Sequence, residues 1–213
     1  MTEKNKHTPQ ERVAQIISDV FSPIVLPTYM MVIAMWVTPL VSIPEKFRFI
    51  SAGIVVMLTA IIPTAVILAL IKTGRAKDVS LSSRSERTIP YVVTIICYLA
   101  TALFLGKIST VHWLPAFYAG AAGASVIALI ITSRWKISAH GSAVGGFTAA
   151  LIWLAAHGQL IFGAKWWVCG AIIVCGLVGS ARLILKRHTP AQVYAGIALG
   201  AVAVLIALVL KNN

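Results

Sequence analysis

The chain opens polar and then turns apolar in long blocks. Thr8-Pro9-Gln10-Glu11 has the make-up of a helix start, with threonine as cap, proline at the first position and glutamate at the third. From Arg12 to Val20, apolar and polar residues alternate at near-helical spacing. The run is too short to span a bilayer and predicts an amphipathic helix lying along the membrane surface. The segment lacks the apolar stretch and small-residue cleavage site of a signal peptide, so it is expected to be retained.

Seven apolar blocks follow: Phe21–Ser42, Phe49–Ile71, Ile89–Leu105, Trp113–Thr132, Ser142–His157, Trp166–Leu185 and Ala191–Leu210. Their lengths approach the ~20 residues that a helix needs to cross the hydrocarbon core. The first block holds Pro23, Pro27 and Pro39 and is expected to be kinked or partly re-entrant. Trp113, Trp135, Trp166 and Trp167 fall at block ends, where indole favours the headgroup region. The pattern predicts an all-α, polytopic transmembrane helix bundle of six to seven spans with an N-terminal amphipathic helix. Residues 1–20 form the interfacial segment and residues 21–213 a single membrane-embedded domain.

Composition agrees. Of the 213 residues, 59% are hydrophobic and 11% charged, and the mean hydropathy is +0.89. Soluble domains run near 45–50% apolar and about 25% charged. Cys97, Cys169 and Cys175 sit in apolar runs and read as reduced core or lipid-facing thiols. The 18 Lys and Arg outnumber 6 Asp and Glu, for a net charge of +12, and no carboxylate side chain follows Glu86. That absence removes reaction classes that hold magnesium on paired aspartates, such as polytopic prenyltransferases and alcohol phosphotransferases. It also removes intramembrane aspartyl proteases. No metal or other cofactor is expected, and the expected partners are the lipid bilayer and a lipid substrate rather than nucleic acid.

The connections between blocks differ in chemistry. Those after the first, third and fifth blocks are plain: IPEKFR, GKISTVH and HGQLIFGAK. Those after the second, fourth and sixth are KTGRAKDVSLSSRSERT, SRWKISAHG and KRHTPAQ. Even numbers of crossings separate these three, so they emerge on one face. Taken singly, each cation there reads as a membrane flank and each histidine as structural. His7, His112 and His157 have no supporting pattern and keep that reading. Together the face gathers Lys77, Arg84, Arg87, Lys136, Arg182, Lys186, Arg187, His140, His188, Ser138 and Thr189. Cations and hydroxyls without acids suit a multiply charged anion, most simply a phosphate. Imidazole among them can attack phosphorus or protonate a leaving oxygen.

From about Lys77 to Gly196 the chain resembles the type-2 phosphatidic acid phosphatase superfamily, whose pattern is K-x6-R-P, then P-S-G-H, then S-R-x5-H-x3-D. Arg182-Leu-Ile-Leu-Lys-Arg-His188 reproduces R-x5-H, and Ile137-Ser138-Ala139-His140 keeps the Ser and His of the second part. Lys77 to Arg84 has the K-x6-R spacing but is followed by Ser85, while Arg87 with Pro90 offers a second alignment; both remain open. Ala181 replaces the Ser of S-R, and Gln192 stands where the pattern has Asp. HTPAQV is similar to the H-T-x-x-Q-V variant of the dolichyl-diphosphatase branch.

The resemblance implies a metal-independent lipid phosphate phosphatase. His188 would be the nucleophile, forming a phosphohistidine, and His140 the acid toward the leaving group. Lys77, Arg84 or Arg87, Ser138 and Arg182 would hold the phosphate, with Gln192 orienting His188. Lys136 joins the phosphate-binding set on local chemistry alone. The implied substrate is an isoprenyl or glycerolipid phosphate or diphosphate. Two alternatives stand beside this one: a catalytically silent lipid-phosphate binder of the same fold, and a transporter of an anionic solute. The expected home is a bacterial cytoplasmic membrane. The motif face carries 13 of the 18 Lys and Arg, which places it on the cytoplasmic side by the positive-inside rule.

Overall fold

The computed structural model describes residues 8–76 and 85–212. Helix α1 spans Pro9–Val20 and opens with the expected reciprocal cap. The Thr8 N–H donates to Glu11 Oε2 at 2.9 Å, and the Glu11 N–H donates to Thr8 Oγ1 at 3.3 Å. Ala14 and Ser18, four residues apart, are buried, while Val13, Ile16 and Val20 are exposed. The helix therefore has an inner small-residue face and an outer apolar one.

The proline-rich block is broken into pieces. A turn at 21–25 leads into α2 (Leu26–Val37), which a 3-10 turn at Pro39–Ser42 follows. Twelve residues of helix rise only ~18 Å, short of the ~30 Å hydrocarbon core. Prolines explain the breaks, since each removes a backbone donor and restricts the preceding residue. Carbonyls near them find side-chain partners: Tyr98 Oη–H donates to Pro23 O at 3.0 Å and Tyr118 Oη–H to Pro27 O at 2.8 Å. Met30, Met31 and Ala34 are fully buried, so α2 is an internal strut of the bundle. Its far end is pinned where the Ile161 N–H donates to Val37 O at 3.0 Å.

Among the described residues, six helices are long and apolar enough to cross a membrane, and the chain is a multi-pass membrane protein. The first, Glu45–Lys72, consists of α3 (Glu45–Val56), a π turn at Met57–Ile61 and α4 (Ile62–Lys72). The π turn lies just before Pro63, whose ring would press on a carbonyl one turn back in an unbroken α-helix. The other five are α5 (Thr88–Ile108), α6 (Trp113–Thr132), α7 (Ala139–Ala156), α8 (Ala164–Ile184) and α9 (Pro190–Asn212). Their bounds follow the apolar blocks closely. The largest consequence is at α7, which starts before the expected Ser142 and so puts His140 in a helical first turn.

Helices α7 and α9 pack backbone to backbone. Gly141 and Gly145 of α7 meet Val193 and Ile197 of α9, while Gly196 and Gly200 of α9 meet Ser138 and Ser142 of α7, so two G-x3-G ridges interlock. A Cβ on Gly145 would collide with the Ile197 carbonyl and one on Gly200 with the Ser142 carbonyl. One on Gly196 would lie 2.5 Å from Ser138 O, and one on Gly141 2.8 Å from Val193 O. Gly120 also brings α6 close to α9, at Val204. Helices in a bilayer gain little from expelling lipid, so this close contact is a main source of their association. Gly145→Ala is accordingly expected to destabilise the protein by about 3 kcal/mol, the upper range for overpacking a tight contact. Unfolding in detergent micelles measures it, and an unchanged midpoint would contradict the backbone-contact account.

Candidate active site

The stretch from Arg182 to His188 is the end of one helix and the approach to the next. Arg182 lies in the last turn of α8. The chain then reverses through a Schellman turn, in which the Arg187 N–H donates to Arg182 O at 3.1 Å and the Lys186 N–H to Leu183 O at 2.9 Å. The same turn ends α4 with Gly74 at φ +71°. Here the left-handed position is taken by Lys186 at φ +51°, a conformation that disfavours a side chain by roughly 1–2 kcal/mol. Thr189 then caps α9 over Pro190, forming the box T-P-A-Q. The Gln192 N–H donates to Thr189 Oγ1 at 3.4 Å, and the Thr189 N–H donates to Gln192 Oε1 at 3.2 Å. His188, just before this cap, donates from Nδ1 to the same Oε1 at 3.2 Å. That oxygen only accepts, so the ring proton sits on Nδ1 and the lone pair on Nε2.

The α7/α9 contact brings the second motif to this turn. The Ser138 N–H donates to Gln192 O at 3.2 Å. Ser138 is fully buried, and its Oγ accepts from the Gly141 N–H at 3.1 Å as the cap of α7. Its oxygen therefore serves the helix start as an acceptor, and the residue does not line the cavity described below. Two residues on, His140 Nε2 lies 3.1 Å from the backbone oxygen of Ser18 in α1. Arg182 NH1 donates to Ser18 Oγ at 3.3 Å. Arg87, in a 3-10 turn at Ser85–Arg87, completes the group, with Arg87 and Arg182 only 9% and 8% exposed.

These side chains surround the mouth of a cavity of about 460 Å³. Arg87, His140, Arg182, Arg187, His188 and Asp19 give it a polar end. Deeper, Ile67, Pro90, Phe117, Ala124, Phe147 and Val204 make an apolar pocket running into the bundle. A headgroup-sized polar end joined to an apolar interior suits an amphiphile. Gln192 lies outside, in a shallow depression shared with Lys186, Arg187, His188 and Thr189. Lys136 is half-buried beside the mouth without lining it. Lys77 and Arg84 lie outside the described residues, so of the first-motif candidates the structure places Arg87 alone at the site. Asp19, Ser18 and Arg187 are the residues that sequence reasoning left unassigned. The small-residue pair Ala14 and Ser18 and the KRH triplet were the available signals.

Electrostatics at the mouth favour an anion. Burial pushes the Arg87 guanidinium below its ordinary range, with opposing contributions from Tyr91 and Glu86. Lys136 is lowered by burial and by Arg87, Arg187 and Arg182. His188 is lowered to about 4, first by burial; the Gln192 hydrogen bond opposes this, while Arg182, Lys136 and Arg87 reinforce it. A bound phosphate dianion would oppose all three shifts, because a nearby opposite charge favours the charged form. No family model matches the chain, and neither does any curated protein or any solved structure.

Because the folded value of His188 lies below its ordinary 6.5, the ring stays neutral in the folded protein down to about pH 4. Stability linked to it is complete above 6.5 and falls as pH drops from there toward 4. NMR titration of the imidazole should give a value near 4 without ligand, moving upward when inorganic phosphate is added. A ligand-free value at or above 6.5 would contradict the site's electrostatics.

Proposed function

We propose that this protein is a membrane lipid phosphate phosphatase working through a phosphohistidine, without a metal. The observation that carries this reading is the joining of two imidazoles and two buried guanidiniums to the apolar cavity of a membrane protein. The cations bind the phosphate, and the lipid chain enters the apolar interior. His188 Nε2 attacks phosphorus, a P–N bond forms, and the P–O bond to the lipid breaks. His140 gives its proton to the leaving oxygen. Water then attacks the phosphohistidine, His140 takes the proton, and inorganic phosphate departs with His188 regenerated neutral. Gln192 keeps the Nδ1 proton in place throughout, which leaves Nε2 as the nucleophile. Arg87 and Arg182 stabilise charge on the equatorial oxygens in both steps.

An isoprenyl or glycerolipid phosphate or diphosphate fits the cavity's division into polar and apolar ends. The cytoplasmic face of a bacterial inner membrane is the proposed location of the mouth, from the excess of cations on that side. One observation favours a second reading, a catalytically silent lipid-phosphate binder. Gln192 carries no charge to balance an imidazolium, and its oxygen is shared with the α9 cap.

Purified protein, given a panel of lipid phosphates with chelator present, is expected to release inorganic phosphate. His188→Ala should abolish turnover, and His140→Ala should reduce it by about 100- to 10,000-fold. Chelator-sensitive activity, or full activity in both variants, would overturn the mechanism. Phosphate binding without release from any lipid would favour the silent binder.

A further inference from the structure

We propose that α1 is part of the phosphate site, with Ser18 as a positioning residue that holds Arg182 through its hydroxyl and His140 through its carbonyl. This deepens the phosphatase reading and rests on it for the roles of the two residues held. Ser18 is 1% exposed although it belongs to a surface helix, and both of its oxygens are engaged with residues proposed for chemistry. The contact joins positions 164 residues apart for Arg182 and 122 apart for His140.

The backbone chemistry of a helix end explains why α1 can do this. The last four carbonyls of a helix lack intrahelical partners and carry the negative end of its dipole. In α1 the Phe21 N–H donates to Ile17 O at 3.0 Å, and Tyr29 Oη–H donates to Val20 O at 3.1 Å. Ser18 O is left for His140. A carbonyl only accepts, so His140 donates from Nε2, and Nδ1 is the nitrogen left to exchange a proton with a substrate. The α1 terminus has no basic residue of its own in its last turn. A cation comes to it instead from α8, the Arg182 guanidinium.

Docking of Ser18 leaves the guanidinium usable. NH1 of Arg182 donates to Ser18 Oγ, while its buried Nε has no hydrogen-bond partner among the described residues. Arg182 still lines the cavity, so the hydroxyl fixes one edge of the side chain and leaves donors for an anion. The chain neighbour of Arg182, Ala181, has no hydroxyl to offer. Ala14 is 2% exposed and lies four residues before Ser18 on the same face of α1, the helix that packs on α8.

The test uses full-length Ser18→Ala, Ser18→Thr and Ala14→Trp proteins in lipid vesicles, each read by KM, kcat and inhibition by inorganic phosphate. Melting with and without inorganic phosphate is measured in parallel. Ser18→Ala is expected to raise KM and weaken phosphate inhibition about tenfold, the loss of one hydrogen bond to a charged group. Its kcat should change less, because the backbone carbonyl on His140 remains. Ser18→Thr should restore both constants. Ala14→Trp, which wedges α1 off α8, should lower kcat as well, and this arm decides if threonine is too large for the buried position.

Wild-type constants and an unchanged phosphate-induced melting shift in Ser18→Ala and Ala14→Trp would overturn the proposal. So would higher activity in Ala14→Trp, which would make α1 an occluding segment. If the wild type releases no phosphate from any lipid, the phosphatase reading fails. The melting shift of wild type against Ser18→Ala then still decides whether Ser18 supports a phosphate site, and no shift in the wild type overturns both.

Discussion

The backbone contact between α7 and α9 is the constraint on which the rest of the structure depends. Carbonyl oxygens of Ser138 and Ser142 occupy the space where Gly196 and Gly200 would carry side chains, and Val193 and Ile197 do the same at Gly141 and Gly145. Such proximity is open only to glycine, and it leaves almost no freedom of register between the two helices. His140 lies in the first turn of α7, and His188 immediately precedes the cap of α9. Their separation is therefore set by the seam rather than by loops. The Ser138 N–H, bonded to Gln192 O, ties the two helix starts together at the point where the seam reaches the cavity mouth.

A second constraint is electrostatic. Arg87, Arg182, Arg187 and Lys136 are held around two imidazoles with Asp19 as the carboxylate on the cavity wall. Burial withdraws water from them, and their mutual repulsion adds to the cost, so the unliganded mouth is less favourable than a solvated one. An anion relieves both penalties at once. The carbonyl end of α1 and the Gln192 amide oxygen are local sources of negative potential, and each faces a histidine. Each histidine thereby has one ring nitrogen held by the protein.

Much of the site was legible because it is local. R-x5-H is the length of a helix end, a Schellman reversal and the residue before a cap, so Arg182 and His188 are brought to one place by a few backbone hydrogen bonds. T-P-A-Q reads as a capping box from sequence alone, though its overlap with the orientation of His188 needs coordinates. Ser138 shows the opposite case. Its hydroxyl is the right chemistry for phosphate, but the side chain turns inward to cap a helix start and lines no part of the cavity. The proline-rich first block was too irregular for its hydropathy to say whether it crosses, and buried Met30 and Met31 show it threading the interior.

The sequence by itself determined the class of protein, the spans and the face on which the unusual residues meet. A backbone in lipid must satisfy its hydrogen bonds within each helix, so hydropathy along the chain is enough to locate the long spans and to put the three motif connections on one face. Only the tertiary structure decided which of those residues touch. It brought Arg87, Arg182, His140 and His188 to one cavity, turned Ser138 inward as a cap, and placed Ser18 against residues more than a hundred positions away. Such contacts depend on how closely helices approach and on which helix ends are left with free carbonyls. Both are properties of packed surfaces in three dimensions, and periodicity along one chain does not encode them.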